Sequence, residues 1–371
     1  MKYNRMLIEE ESPEQFGYDR IKYNLTESST TDKTIKDVGI QIDDDLVLCY
    51  GDHYGKPELR ELIAKRYNAS LDDVIITVGA CMALFITYSA LLAENDHILI
   101  MKPNYPANIE IPRTLGCDVD LYELEISKGF QMDVDSLISR IKPSTKMVSI
   151  TYPHNPTGAM INGEDLKKLA LACEENKTYL VVDETYGDLT RGERLPHVTD
   201  FTDYGICIES LSKAIGVPGI RTGWIVNKDP KRQEMLISAK EQICICGSVV
   251  DEECAYQVLK RNDELMTPIK KDVEEKFDIV CAMLDQQDVL EWVRPRGGVV
   301  CFPRIKDEVE LDTQEFYDVL NNKYGVFVGP GRWFGMDDRY FRLGYAWPEK
   351  EELKEGIKGI LRAVRDVRKK P

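Results

Sequence analysis

The chain predicts an α/β fold: a large domain with a mostly parallel, seven-stranded-type sheet covered by helices on both faces, plus a smaller α+β domain. Three observations predict it. From about residue 74, short β-branched runs alternate with longer helical patterns, the signature of parallel strands joined by crossover helices. Several runs are apolar almost throughout, as strands covered on both faces must be. After about residue 262 the alternation stops, and a long helical stretch leads into isolated strand candidates.

Residues 74–78 (Val-Ile-Ile-Thr-Val) read as a strand and 80–93 as an apolar helix. Strands are expected at 97–101 and 146–151, then an amphipathic helix at 163–176. The run 179–182 is nearly continuous in apolar residues and ends in Asp183, and 205–210 and 223–227 add two more strands. In the C-terminal part, helices are expected at 268–284, 313–324 and 349–368, with strands near 299–302 and 340–343. This divides the 371 residues into an N-terminal segment, 1–44, that packs with the small domain, a large domain, 45–262, and a small C-terminal domain, 263–371. A chain of this length buries a substantial core.

Composition narrows the function. With 43% hydrophobic and 30% charged residues the balance is that of a soluble globular protein. A formal charge of −16 argues against nucleic acid as a partner, since a basic footprint would be needed. No run approaches the roughly 18 apolar residues of a membrane span, and the first residues turn acidic where a signal peptide would be apolar. The ten cysteines are scattered without a Cys-x-x-Cys pair and the chain has four histidines. No metal is therefore expected, and free thiols in a reducing cytoplasm are.

The most informative stretch is Ser210-Leu211-Ser212-Lys213, followed by Arg221 with small residues between. A lysine that forms a Schiff base beside a bound phosphate needs such neighbours: hydroxyls and a guanidinium for the phosphate, and little bulk where the backbone approaches. A surface lysine before a Gly/Pro loop reads the same way alone, so the companions matter. If the cofactor is pyridoxal 5'-phosphate (PLP), the chain must also supply an acid for the pyridine nitrogen, a phosphate cradle and a substrate clamp. Asp183 ends the most apolar strand, where ligands gather in open α/β sheets, although a turn aspartate has the same setting. Tyr186 lies three residues on, within reach of the cofactor's phenolic oxygen, and Asn155 in Asn155-Pro156-Thr157-Gly158 offers an amide to the same atom. Gly79-Ala80-Cys81 joins a strand to a helix N-terminus, whose free N–H groups suit phosphate. Arg221 suits bidentate phosphate contact. Tyr105 follows a strand end and either stacks on the cofactor ring or belongs to the core. Arg342 alternates with apolar residues, and an inward arginine needs a partner: a substrate carboxylate or a structural salt bridge.

The ordered set Tyr50, Gly79-Ala80-Cys81, Tyr105, Asn155-Pro156-Thr157-Gly158, Asp183, Tyr186, Ser210-x-Ser212-Lys213, Arg221 and Arg342 resembles the fold type I, class I/II aminotransferases from about residue 45 to the C-terminus. The resemblance implies PLP as cofactor and Lys213 as the lysine of the internal aldimine and the proton shuttle. It further implies Asp183 on the pyridinium, Asn155 and Tyr186 on the phenolic oxygen, and Ala80, Cys81, Ser210 and Arg221 on the phosphate. Tyr105 would stack on the ring and Arg342 clamp the α-carboxylate. Tyr50 would reach the phosphate of a neighbouring subunit, making a homodimer with shared active sites. The implied reaction moves the amino group of an L-amino acid to a 2-oxo acid by a ping-pong cycle. PLP-dependent elimination, or cyclisation or oxidation of a specialised amino acid, is the alternative. A PLP-sensing transcription regulator would need an added DNA-binding domain.

Three departures bear on the substrate side. Leu25-Thr26-Glu27-Ser28-Ser29-Thr30 stands where the family has a Gly- and Pro-containing loop, Tyr152-Pro153-His154 precedes Asn155, and the late loop 329–335 adds Arg332 and Trp333. His53, Lys56 or Arg332 would receive a distal substrate carboxylate, whereas Tyr54, Trp333 and Phe334 would make an apolar pocket.

Overall fold

The computed structural model describes residues 2–369; Met1, Lys370 and Pro371, which the expected terminal units include, lie outside the described residues. Seven strands form the central sheet: β1 (Val74–Thr77), β2 (His97–Lys102), β3 (Asp118–Glu123), β4 (Thr145–Thr151), β5 (Tyr179–Asp183), β6 (Gly205–Ser210) and β7 (Gly223–Val226). Their spatial order is β1-β7-β6-β5-β4-β2-β3. β7 runs antiparallel to both neighbours, and the remaining pairs are parallel.

Period-two alternation splits each strand between two cores. Ile98 and Ile100, Val181, and Ile206 and Ile208 point to one face, where they meet Leu84 and Tyr88 of the helix α2 (Gly79–Leu91). Leu99 and Met101, Leu180 and Val182, and Cys207 point to the other. Because both faces are covered, the strand interiors are mostly apolar, and the buried Ser149 of β4 is satisfied by the Tyr88 hydroxyl at 2.8 Å. β3 is the exception: at the sheet edge it is half exposed, and its sequence Asp-Val-Asp-Leu-Tyr-Glu carries the acidic residues of a solvated strand. That composition is why the sequence pattern misses it.

The helices α1 (Pro57–Arg66), α2, α3 (Pro106–Leu115) and α4 (Gly163–Glu175) lie in the first half of the chain. α5 (Pro230–Cys244), which packs on α2, α6 (Val249–Lys260) and α7 (Asn262–Leu284) come next. α7 starts six residues earlier than the sequence suggests and keeps Pro268 inside it. A proline removes one helical N–H, but the acidic first turn and the buried Met266, Ile269 and Val273 outweigh that loss. α8 (Thr313–Tyr324) and α9 (Lys350–Val367) complete the helices of ten or more residues among those described, and α9 buries Leu353, Ile357, Ile360 and Val364 at helical spacing. Among the described residues no helix is long and apolar enough to cross a membrane, and all ten cysteines are free thiols.

A second, antiparallel sheet joins β8 (Val300–Cys301), β9 (Gly329–Pro330) and β10 (Phe341–Gly344) in the order β8-β10-β9. The N-terminal segment is threaded against it. Tyr23–Asn24 pairs in parallel with Val326–Phe327, and the Gly344 amide donates to the Leu25 carbonyl at 2.8 Å. The approach is so close that a Cβ on Gly344 would lie 1.7 Å from the Glu27 carbonyl oxygen. Further on, the Thr30 amide donates to the Lys213 carbonyl and the Lys33 amide to that of Gly216. The segment therefore bridges the second sheet and the lysine loop.

Gly344→Ala must push these backbones apart, and overpacking of that kind should cost roughly 2–4 kcal/mol. Gly219→Ala, where an added Cβ meets nothing within 4 Å, serves as the control and should shift stability by less than about 0.5 kcal/mol. Urea midpoints at constant m-value measure both.

Candidate active site

The carboxyl ends of the parallel strands converge on one cavity of about 330 Å³, where open α/β sheets place their ligands. Thr151 is the last residue of β4, Asp183 of β5 and Ser210 of β6, and all three line the cavity. Ala80 and Cys81 come from the first turn of α2, directly after β1, and Tyr105 from the residue that precedes α3. β7 contributes through its reversed direction. Gly223, at its start, pairs with both Ser210 and Thr77, so the residues just ahead of it, including Arg221, emerge at the same edge. A Cβ on Gly223 would lie 2.6 Å from the Gly79 carbonyl carbon and 2.7 Å from the Ala80 nitrogen. Only glycine lets the α2 N-terminus approach this closely.

Ser212 and Lys213 extend from β6 into the same cavity, and Asn155, Tyr186 and Arg342 close it. Eleven sequence-expected residues thus meet in one place. Gly79 lies just behind: a Cβ there would fall 2.7 Å from Arg221 Nη2. Tyr50 does not join them within this chain. It is 82% exposed, in a segment where Val47 and Leu48 are exposed as well.

The charges in the cavity are held without their usual counter-ions. Arg342 is 4% exposed. Its Nη1 donates to Asn155 Oδ1 at 3.1 Å and its Nη2 to the Thr26 carbonyl at 2.8 Å, while its buried Nε has no partner. Burial pushes the guanidinium below its ordinary range, with Tyr186 and Glu27 acting in the other direction. Lys213 is likewise pushed down by burial; Glu27 opposes the shift and Arg342 adds to it. Among the described residues no carboxylate lies within ion-pair distance of Lys213, Arg221 or Arg342, and the hydroxyls of Ser210 and Ser212, residues 5% and 7% exposed, have no hydrogen-bond partner. Asp183 accepts from the Thr185 amide at 3.0 Å and the Thr185 hydroxyl at 2.6 Å. Burial nonetheless raises its carboxyl above the usual range. Tyr186 is pushed up to about 12 by burial, so it stays a protonated donor at neutral pH.

This donor set fits a phosphorylated pyridine aldehyde. A helix N-terminus, two unpartnered hydroxyls and an arginine without a carboxylate make an anion site. A carboxylate raised by burial is stabilised by a cationic ring, and a lysine lowered by burial holds more of its neutral, nucleophilic form.

Behind the cavity, a buried ionic network fixes the strand ends. Glu184 accepts from His197 at 2.7 Å, Arg194 donates to Glu209 at 3.0 Å, and Tyr67 donates to Glu209 at 2.7 Å. Glu184 and Glu209 adjoin Asp183 and Ser210, so the network orients the two residues next to them. Glu184, His197 and Cys207 bring their ligand atoms within 4.8 Å, yet Arg194 3.6 Å from Glu184 supplies the positive charge of that cluster.

The substrate-side expectations are redistributed. His53 pairs with Glu241 at 2.6 Å, Lys56 with Glu253 at 3.1 Å, and Arg332 with Glu11 at 2.9 Å and Asp338 at 2.8 Å. None of the three lines the cavity, because local carboxylates hold each one. Trp333 does line it, and its indole donates to Glu11 at 2.7 Å. His154 is buried and pushed down to about 3, so its ring is neutral; it bonds Thr157 at 2.7 Å and stiffens the Asn155 turn. The sequence pattern does not single out Glu9, Glu14 or Thr185, which also line the cavity. Only the acidity of the first residues signals the glutamates, and it carries no periodic pattern.

The family model described as "Aminotransferase class I and II" matches residues 22–360. Capreomycidine synthase from Streptomyces vinaceus is 28% identical over 329 residues, 85% of this chain and 81% of its own length. Aspartate aminotransferase from Pyrococcus horikoshii is 27% identical over 347 residues, 90% of this chain and 88% of its own. A solved PLP-dependent aminotransferase from Streptococcus suis superposes with a TM-score of 0.90 at 27% identity, covering 100% of both chains. With the family model spanning nearly the whole chain around a cavity of matching chemistry, this protein belongs to the class I and II aminotransferases, a family of PLP-dependent enzymes.

Proposed function

We propose that the protein transfers the amino group of an L-amino acid to a 2-oxo acid by a ping-pong cycle. Arg342 carries the reading: a buried guanidinium with no carboxylate partner and an orphan Nε suits the α-carboxylate of an amino acid. Ser210, Ser212, Arg221 and the α2 N-terminus at Gly79, Ala80 and Cys81 would hold the PLP phosphate, and Tyr105 would cover the ring. Asn155 and Tyr186 would donate to the phenolic oxygen, and Asp183 would keep the ring nitrogen protonated. When bound, PLP supplies an electron sink for bond breaking at the substrate Cα. Lys213 is the nucleophile toward the cofactor aldehyde, and its amine, whose proton affinity burial lowers, then takes and returns the Cα proton.

We also propose that residues 45–262 hold the cofactor while 1–44 and 263–371 bring the carboxylate clamp to it, since Arg342 and Thr26 come from those parts. The exposed Val47, Leu48 and Tyr50 support a homodimer in which Tyr50 reaches the neighbouring site. Ten free thiols suit a reducing cytoplasm. A second reading is elimination, or cyclisation or oxidation of a specialised amino acid. It is favoured by a relative called a synthase rather than an aminotransferase and by the departure at 25–30.

The deciding measurement mixes the PLP-loaded protein with an amino acid, then with a 2-oxo acid. Stoichiometric appearance of the cognate 2-oxo acid and then of a new amino acid supports transfer. Ammonia release without an acceptor favours elimination.

Lys213→Ala should remove the visible absorbance of the lysine-bound cofactor; a spectrum unchanged after dialysis counts against the assignment. Arg342→Lys keeps the charge but loses the fork and should lower kcat/KM by roughly 10- to 100-fold. Burial lowers the Lys213 ammonium from its ordinary 10.5, so PLP uptake by the cofactor-free protein should rise with pH around a midpoint below that value. Arg342→Gln removes a repelling charge and should move the midpoint upward, as stopped-flow absorbance across pH will report.

A further inference from the structure

We propose that this cavity selects an amino acid whose side chain ends in a positive charge, an ammonium or a guanidinium, and that Glu27, Glu14 and Glu9 receive it. The inference rests on the reading of the cavity as an amino-acid site. Four lining charges are used by that reading: Arg221 for phosphate, Asp183 for the ring nitrogen, Lys213 for the cofactor and Arg342 for the α-carboxylate. Three carboxylates that line the same cavity remain unused, those of Glu9, Glu14 and Glu27.

These carboxylates have no cation of their own. Glu27 accepts only from neutral donors, the Tyr18 hydroxyl at 3.2 Å and the Asn24 amide at 3.3 Å. Glu9 accepts from the Tyr105 hydroxyl at 3.3 Å. No ion pair involves Glu9, Glu14 or Glu27 among the described residues, whereas neighbouring Glu10 and Glu11 are paired with Arg5 and Arg332. Burial raises the Glu27 carboxyl, and Lys213 is the charge that most opposes it. Glu27 is the residue next to Thr26, whose carbonyl holds Arg342. A substrate gripped at its α-carboxylate therefore has Glu27 beside it and the other two in the lining of the same cavity. The cavity is marked as a ligand site by the unpartnered hydroxyls of Ser210 and Ser212, residues more than nine-tenths buried, and by the buried, orphan Nε of Arg342.

The late loop explains why the two N-terminal glutamates are there. Arg332 and the Trp333 indole both grip Glu11, in the turn between the short helices Leu7–Glu10 and Pro13–Phe16. Fixing Glu11 sets Glu9 and Glu14 on either side of it against the cavity. A substrate with a distal carboxylate would bring a like charge to this wall, and discrimination by repulsion acts together with attraction of the cation.

The test titrates the PLP-loaded protein with L-arginine, L-lysine, L-norleucine and L-aspartate at equal ionic strength, reading Kd from the visible absorbance change. L-arginine or L-lysine should bind about tenfold or more tightly than L-norleucine, and L-aspartate more weakly than either. The cation-to-norleucine ratio should fall by about threefold or more in Glu27→Gln or in Glu14→Gln, and in wild type as salt is raised. Norleucine or aspartate binding as tightly as both cations overturns the proposal while leaving amino-acid chemistry standing. A ratio unchanged in both variants overturns the assignment to these carboxylates. Silence toward all four amino acids overturns the underlying reading and this one with it.

Discussion

Arg342 is the side chain on which the arrangement depends. It sits on β10 of the small antiparallel sheet and donates to Asn155 from the large sheet's loops and to the Thr26 carbonyl of the N-terminal segment. One guanidinium therefore ties together three parts of the chain that are remote in sequence. Burying it without a carboxylate costs free energy that the rest of the structure must offset. Two neutral acceptors and the Phe334 ring, 5.1 Å away, offset part of that cost. The unmet remainder rests on its Nε, which has no partner among the described residues.

The same logic runs through the cavity. Lys213, Arg221 and Asp183 are each held short of their preferred electrostatic partner, and the backbone rather than salt bridges keeps them in place. The reversal of β7 brings Arg221 round to the strand ends, and Gly223 lets it meet the α2 N-terminus. Charges that do have partners are set one residue away: Glu184 and Glu209 anchor β5 and β6 in a closed network with Arg194, His197 and Tyr67. Rigidity is supplied beside the reactive positions and reactivity is kept at them.

Legibility in the sequence tracks the range of the interactions. Asp183, Ser210 and Lys213 are readable because strand ends and their loops are written locally, in an apolar run and the turn that terminates it. Strand β3 escapes the pattern because an edge strand carries acidic residues, and the start of α7 is displaced because tertiary burial overrides Pro268. Arg332 reads as a free cation, yet it is held between Asp338, six residues on, and Glu11, which lies 321 positions away and beyond any local pattern. His53 and Lys56 are likewise claimed by Glu241 and Glu253. A single sequence shows which groups carry charge but not which charges are already spoken for.

The grip of Arg332 and Trp333 on Glu11 also bears on how such an enzyme can change over evolutionary time. Two of the three unused carboxylates that line the cavity, Glu9 and Glu14, lie ahead of residue 22, where the match to the family begins. They belong to a segment outside the central sheet, docked by the Glu11 cluster and by Ile8, which packs into the main core. Selectivity written on such a segment is encoded apart from the strand ends that carry Asp183, Ser210 and Lys213. It can drift, be exchanged or be reinvented in a descendant while the inherited chemistry stays intact.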